Sequence, residues 1–487
     1  MKIMLLYPSW TGEYGNIAHF AKKAGKWPPL NLAYLAAIAE RDGHEVQIID
    51  GEAEEISLDE IVKRTKEFNP NVIGITATTP FYHICVELGN KLKQEMPSTP
   101  ICIGGAHITV LKEEAFNDCF DVAFIGEAEI SWAQFLDRIE RNQSIEEIKG
   151  LMYRSNGQIK YTGQAIPLQN VDSLPFPSRH LINPELYNLG TMQGIKKFTT
   201  IMTMRGCPFD CIFCSTKVFG KDTRRRSPEK VIQEIKECKE KYGTEHFMFL
   251  DDTLTLNRQH TIDICELLIK EKLGITWEGS TRANLVDEEL VKKMAQAGLI
   301  RLSFGLESAN ENIRKLMKKR VPLESYIEAN KLTNKYGIET LNSCMIGLPG
   351  ETVETVRETL KFLRENKEIK QANISIAVPY PGTELYNMAK AGENKLKLIV
   401  KDFSKFRRYN VATMQVGDLS PDDLVNLQNQ AFASIYMFSP ERWEPMIAKS
   451  GLQGAQITVN RLMKCIDNGE TKLLTDKQLG VGKIKSV

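Results

Sequence analysis

The sequence predicts an α/β protein: an N-terminal doubly wound parallel sheet, then a partial (β/α)6 barrel, then a mostly helical C-terminal region. Three observations carry this. Short apolar runs alternate with longer helical patterns up to about residue 145, the alternation stops in a turn-rich stretch at 146–195, and it resumes from Phe198 to Pro381. Strands alternating with helices imply parallel pairing through right-handed crossovers.

In the first part, apolar runs at residues 3–7, 46–49, 72–76, 101–103 and 122–125 predict strands, with helical patterns at 30–41 and 57–68 among the segments between them. Ligands of such sheets bind beyond the carboxyl ends of the strands. Residues 9–12, 76–79, 104–107 and 126–127 occupy those positions. Pro167, Asp172, Ser173, Pro175, Pro177 and Pro184 punctuate the stretch 146–195, which reads as a connector. Six further strands are expected at 199–204, 246–250, 276–280, 299–305, 340–346 and 373–378. On a barrel of this kind the chemistry also sits at the strand C-termini. The resulting division is 1–145, 146–195, 196–390 and 391–487, the last helical in pattern and ending in a polar stretch at 480–487.

Length agrees with this division, since 487 residues at about 150 per domain correspond to roughly three domains. With 42% hydrophobic and 26% charged residues the chain resembles ordinary globular proteins, which excludes wholesale disorder. Lys and Arg number 63 against 62 Asp and Glu, so no overall charge footprint for nucleic acid exists. No apolar run reaches the length of a membrane span. The first eight residues lack a cleavage signature and predict a buried strand and not a signal peptide, hence a cytoplasmic protein. Ten cysteines in so long a chain do not make a disulfide scaffold, and three of them are bunched.

Those three, Cys207, Cys211 and Cys214, stand at C-x3-C-x2-C directly after a predicted strand. Iron–sulfur clusters usually take four thiolates, so three in one loop imply a [4Fe–4S] cluster with one iron left for another ligand. An open coordination position is what a catalytic metal centre needs. Zinc and chance burial compete, but zinc wants a fourth ligand at matching spacing and no second C-x2-C is present.

With the aromatic Phe213 just before the third cysteine, this loop resembles the signature of the radical S-adenosylmethionine (SAM) superfamily. The resemblance implies that the three cysteines hold the cluster, that SAM chelates the unique iron, and that its reductive cleavage yields a 5′-deoxyadenosyl radical. It also implies SAM contacts from Asp251 and Asp252 after the second barrel strand, Arg282 after the third, Glu307 at the end of the fourth and Gly347 after the fifth. An acceptor suits the SAM ammonium, a guanidinium suits its carboxylate, and glycine permits close backbone approach to adenine. A solvated turn or helix cap competes for Asp252, and a surface ion pair for Arg282. Residues 379–383 end the sixth strand, lining the substrate opening or making a plain turn.

The domain ahead of the barrel resembles the cobalamin-binding domain of B12-dependent radical SAM enzymes. That resemblance implies cobalamin contacts from Thr76, Thr78, Gly104, Gly105, His107, Gly126 and Glu127, with residues 16–35 as the first crossover. None of the seven histidines is followed by glycine three residues later, so the axial-ligand pattern Asp-x-His-x-x-Gly is absent. Cobalamin without histidine ligation favours methyl transfer. His107 is expected to pack against the corrin or donate a hydrogen bond, and a domain that keeps the fold without the cofactor is the alternative. The run Arg224, Arg225, Arg226 is expected to be solvated, and Tyr436, Met437, Phe438 and Trp443 to be core.

Together these readings give a cobalamin-dependent radical SAM enzyme that functionalises an unactivated carbon, most simply by methyl transfer. The implied cofactors are a [4Fe–4S] cluster, SAM and cobalamin. The expected partners are a small-molecule, lipid or tetrapyrrole substrate and an electron donor such as flavodoxin or ferredoxin, without nucleic acid. An oxidative cyclase like the anaerobic Mg-protoporphyrin monomethyl ester cyclases is the alternative reaction, suggested by Trp27-Pro28-Pro29. A non-catalytic cobalamin or cluster sensor is the alternative of another class.

Overall fold

The computed structural model describes residues 1–10, 25–189, 195, 197–215, 219–437, 447, 451 and 453. Residues 11–12 of the first loop, 16–24 of the first crossover, Phe438, Trp443, the side chains of Tyr436 and Met437, and the stretch 480–487 lie outside the described residues. The chain divides into two compact units. One comprises Met1–Pro208, Ser215–Leu250 and Leu273–Ile275; the other comprises Phe209–Cys214, Asp251–Lys272 and the chain from Thr276 onward.

The first unit is built on a sheet of seven strands: β1 (Lys2–Tyr7), β2 (Glu45–Asp50), β3 (Val72–Thr76), β4 (Ile101–Gly104), β5 (Val122–Phe124), β6 (Leu151–Ser155) and β7 (Gln158–Tyr161), in the order β2-β1-β3-β4-β5-β6-β7. Pairing from β2 through β5 is parallel. Side chains alternate across a strand, so Met4, Leu6, Ile73, Ile75, Ile101 and Ile103 bury one face while Ile3, Leu5, Val72 and Cys102 bury the other. Both faces are apolar because crossover helices cover both. The helix Leu30–Arg41 covers the second face, and Trp132, from the helix Glu129–Glu140, donates its indole N–H to the Leu35 carbonyl at 3.1 Å. The helix Leu58–Phe68 starts where Ser57 accepts the Glu60 N–H, an ordinary N-cap that satisfies an orphan donor.

Within the stretch read as a connector, β6 and β7 form an antiparallel hairpin that extends the sheet. Asn156 and Gly157 at its tip both have positive φ, 52° and 76°, as a tight hairpin turn requires. The last strand is largely solvated, so no apolar run announced it. Further along this unit, the strand expected at 199–204 is divided into β8 (Phe198–Ile201) and β9 (Met204–Arg205). β9 pairs antiparallel with β10 (Arg224–Arg225), and β11 (His246–Phe249) pairs parallel with β8. The helix Pro228–Tyr242 begins on a Ser227 cap with proline in its first turn and stops at Gly243, φ 65°, which follows the usual proline-in, glycine-out asymmetry.

The second unit carries β12 (Thr276–Thr281), β13 (Leu299–Glu307), β14 (Glu339–Ile346) and β15 (Ala372–Ile376), parallel in that order. Their register shifts between Gly305 and Glu307. After these strands the helix Glu384–Ala391 leads into an antiparallel pair, β16 (Leu396–Leu398) and β17 (Met414–Val416), before the helix Pro421–Met437. The region expected to be helical from 391 therefore opens with a hairpin. Among the described residues no helix is long and apolar enough to cross a membrane.

Candidate cofactor sites

A cavity of about 460 Å³ in the first unit opens at the carboxyl ends of its parallel strands. Tyr7, Trp27, Tyr34, Trp132 and Phe219 give it aromatic walls, and Thr76, Thr78, Gly104, Gly105, Gly126 and Glu127 of the expected residues line it. A Cβ built on Gly104 meets only Phe124 Cβ at 3.9 Å, leaving that backbone open to an incoming group. Gly105 is constrained instead: its φ is +105° and a Cβ would stand 2.5 Å from the Ala77 carbonyl oxygen. Gly105→Ala is expected to introduce about 1–3 kcal/mol of strain at this loop and to lower cobalamin retention, checked by absorbance after gel filtration of anaerobically loaded protein. The Thr76 hydroxyl accepts from the Asn31 amide at 2.9 Å.

His107 does not line this cavity. It is 1% exposed, with Nδ1 3.2 Å from the Thr79 hydroxyl and its ring 4.3 Å from that of Tyr82. Burial pushes its pKa down to about 4, so it is neutral. The helix Ala106–Leu111 starts immediately after Gly105 and carries this side chain into the core.

Glu127 lines the cavity, but its carboxylate is committed elsewhere. Arg205 Nη1 donates to it at 3.0 Å and Arg224 Nη1 at 2.9 Å, with Arg224 Nη2 bonded to the other oxygen. Glu129 takes Arg205 Nη2 at 2.6 Å. Arg224 also donates to the carbonyls of Leu168 and Phe219, each at 2.9 Å. The arginine run is therefore not solvated: Arg224 and Arg226 are buried and Arg225 alone is exposed. Arg226 and Arg179 both reach Glu234, each at 2.6 Å. Burial alone would raise the Glu234 pKa, and the two guanidinium charges outweigh it and hold the carboxyl below its usual range. Sequence reasoning missed this because Glu127 is distant along the chain from Arg205 and Arg224, and Glu234 reaches Arg226 only through the fold.

The cysteine loop starts from a fixed turn. Gly206 has φ +88°, and a Cβ there would stand 2.3 Å from the Asp222 carbonyl oxygen, so only glycine fits. The Cys207 N–H donates to the Gly220 carbonyl at 3.2 Å. Accessibility then increases along the loop, with Cys207 buried, Cys211 intermediate and Cys214 exposed. In the second unit, Ile212 N–H donates to the Met317 carbonyl at 3.2 Å and its own carbonyl accepts from Leu385 N–H at 2.9 Å. Phe213 is half-buried, Asp251 buried and Asp252 exposed.

Arg282 is 6% exposed, not a surface charge. Its guanidinium lies 3.7 Å from the Phe209 ring centroid, with Nη1 3.8 Å from Cys211 Sγ and Nη2 donating to the Lys319 carbonyl. Lys319 Nζ meets Glu307 Oε1 at 3.2 Å, both side chains buried. Burial pushes the Glu307 pKa up and the Lys319 charge pulls it partly back. Glu307 has a positive φ of 65° beside the register shift, an uncommon backbone state for a residue with a side chain. A Cβ on Gly305 would stand 2.3 Å from the Glu307 carboxylate and 2.7 Å from Lys319 Nζ. Lys319 carried no signal in the sequence, because a lysine between Lys318 and Arg320 looks like part of a solvated run.

Gly347, φ +92°, donates its N–H to Glu351 Oε2 at 2.5 Å, and Leu348 N–H donates to the same oxygen at 2.9 Å. Burial pushes Glu351 up to about 7, against the pull of those two donors. A raised carboxyl contributes stability below its unfolded pKa, and that contribution is lost as pH rises through the folded value. Glu351→Gln keeps an acceptor without titrating. Its stability relative to the parent is expected to rise by about 3 kcal/mol between pH 4.5 and pH 8, read from urea midpoints at the two pH values.

Among the described residues no group of three or more His, Cys, Asp or Glu side chains is gathered as a metal site. The fit of the loop to a cluster rests on its donor chemistry, three sulfurs within one short segment and a buried guanidinium beside one of them. The cavity fits cobalamin through its open glycine backbone and apolar walls, and its described lining contains no histidine.

Comparisons with known proteins agree with these two constellations. The radical SAM superfamily model matches residues 201–363, and the B12 binding domain model matches residues 18–136. An uncharacterized methyltransferase of Pyrococcus horikoshii is 34% identical over 442 residues, 90% of this chain and 93% of the relative. The anaerobic magnesium-protoporphyrin IX monomethyl ester cyclase of Rubrivivax gelatinosus is 28% identical, over 83% of this chain and 72% of its own. The solved cobalamin-dependent SAM radical enzyme OxsB, with aqua-cobalamin and SAM bound, superposes with a TM-score of 0.73 at 16% identity, covering 96% of this chain and 75% of that one. At that identity the last match speaks for the fold, and it bears out the α/β architecture with its parallel sheets. The two matched domains imply a [4Fe–4S] cluster with SAM and cobalamin as cofactors. The chain is an enzyme that belongs to the radical SAM superfamily, in the group that carries a B12-binding domain.

Proposed function

We propose that this enzyme methylates an unactivated carbon of a small-molecule, lipid or tetrapyrrole substrate. When bound, the cluster supplies the electron that cleaves SAM and cobalamin supplies the methyl group. Cys207, Cys211 and Cys214 hold the cluster. Arg282, fixed by Phe209 and the Lys319 carbonyl, takes the SAM carboxylate, since a guanidinium pairs well with a carboxylate. Asp251 and Asp252 receive the SAM ammonium, Glu307 binds with its charge steadied by Lys319, and Gly347 and Phe213 bound the adenine side. Thr76 and Thr78 offer hydroxyls and Gly104, Gly105 and Gly126 offer backbone to cobalamin, while Glu127 acts from behind through Arg205 and Arg224. Residues 1–145 are assigned to cobalamin, 146–195 to the connection, 196–390 to SAM and 391–487 to the C-terminal region.

The observation that carries this reading is the cavity, whose open glycine backbone and aromatic walls would hold cobalamin as the methyl donor. The methyltransferase relative supports the same reading. A flavodoxin or ferredoxin in the cytoplasm is the proposed electron donor. The similarity to a cyclase over 83% of the chain favours oxidative cyclisation as the second reading. Anaerobically loaded protein, with its cluster reduced by dithionite, is expected to form 5′-deoxyadenosine slowly from SAM even without substrate. With candidate lipids and tetrapyrroles, label from the SAM methyl group should enter the product under the first reading and oxygen from water under the second. Absence of 5′-deoxyadenosine from a cluster-loaded, dithionite-reduced sample would overturn both.

A further inference from the structure

A groove of about 920 Å³ in the C-terminal part of the second unit is used by none of the roles above. The helix Glu384–Ala391, the β16–β17 hairpin and the turn Phe403–Lys405 form it. Lys390, Lys395, Lys397 and Lys401 line it, and all four are exposed. Among the described residues none of them is ion-paired, although other exposed lysines are: Lys315 meets Glu311 at 2.7 Å and Lys66 meets Glu95 at 2.5 Å. Four ammonium groups around one depression repel one another, and an anion placed there removes that cost.

Two further observations separate this groove from a chance gathering of surface charge. Its floor is aromatic, with Tyr386, Phe403 and Phe406 in the lining and the two phenyl rings edge to face at 5.1 Å. Its rim is held in an unfavourable backbone state: after Gly392, φ 79°, the successive residues Asn394 and Lys395 have φ 51° and 57°. For Lys395 this state costs about 1–2 kcal/mol, and for Asn394 less; backbone strain of this kind gathers at binding sites.

We propose that this groove binds a phosphate-bearing ligand, with phosphate oxygens on the lysine ammonium groups and an apolar or aromatic portion against Tyr386 and Phe403. Lysine suits phosphate as a mobile point charge. The phosphate belongs to a soluble organophosphate or to a phospholipid headgroup, and two probes separate these sources. Full-length protein is titrated calorimetrically with pyrophosphate, and co-sedimented with phosphatidylcholine vesicles containing phosphatidylglycerol. Saturable binding of at least one probe is expected. It should weaken at least tenfold in a Lys395→Gln, Lys397→Gln double variant and fall as salt rises. A Lys331→Gln, Lys361→Gln variant, which removes the same charge elsewhere, should bind as the parent does.

Pyrophosphate binding alone assigns a soluble ligand, and vesicle binding alone a headgroup. The proposal is overturned if neither probe binds saturably, if the groove variant binds as the parent does, or if the control variant loses as much. Slow 5′-deoxyadenosine formation is read on every variant to show that each is folded, and it is expected to be unchanged because the groove lies outside the SAM machinery. Failure of the proposed methyl transfer would leave these outcomes as they stand.

Discussion

Glu127→Gln is expected to destabilise the first unit by about 3–5 kcal/mol, the usual result of breaking a buried ion pair from one side. The side chains of Glu127, Arg205 and Arg224 are all less than a tenth exposed, so the two guanidinium charges cannot turn to water when the carboxylate is removed. Glutamine keeps the shape and one acceptor oxygen but cannot balance the Arg224 charge, and leaves Arg205 with Glu129 alone. Rings at 5.2 Å (Phe219) and 5.9 Å (Tyr34) from the Arg205 guanidinium offer only weak replacement. Because Arg205, the last residue of β9, leads through Gly206 directly into Cys207, iron content should fall together with cobalamin retention. Arg225→Gln, one position along from Arg224 and exposed, is expected to change stability by no more than about 0.5 kcal/mol. Urea unfolding, iron assay and cobalamin absorbance measure all three effects. Equal stability in the Glu127 and Arg225 variants would show that the buried carboxylate is dispensable.

Cys211→Ala is expected to reduce bound iron and 5′-deoxyadenosine formation to background while leaving cobalamin binding intact. The cavity residues all belong to the first unit, and residues 209–214 contribute none of its lining. Removing one of three protein thiolates leaves too few ligands to retain a four-iron cluster. Cys344→Ala serves as the comparison, since Cys344 is buried in β14 and is not proposed as a ligand; it should retain iron. If the Cys211 variant bound iron as fully as the Cys344 variant, the ligand assignment would fail.

The strands of the first sheet were legible as short apolar runs, and β1 through β5 lie within a residue of their expected bounds. The β6–β7 hairpin escaped because Gln158 and Lys160 face solvent on an edge strand, where burial imposes no pattern. Motif residues were legible by type and order, yet their orientation was not. His107 follows β4 as expected, on the helix Ala106–Leu111 that turns its ring inward to Thr79 and Tyr82. Arg224 and Arg226 looked like solvent-facing charge because burial of a guanidinium depends on a carboxylate brought from elsewhere, here Glu127 and Glu234. Lys319 belongs with these: its ammonium and its carbonyl serve two different residues, Glu307 and Arg282, and no local spacing encodes such a junction.

The rising accessibility from Cys207 through Cys211 to Cys214 sets an order of chemical vulnerability for the cluster-free protein. Thiol modification requires a reagent to reach the sulfur, and burial opposes that. An alkylating reagent should therefore label Cys214 first and Cys207 last. Oxygen follows the same order, so handling in air would damage the outermost thiol before the innermost. A preparation that has lost its capacity for iron can then be diagnosed by peptide mass at a single residue.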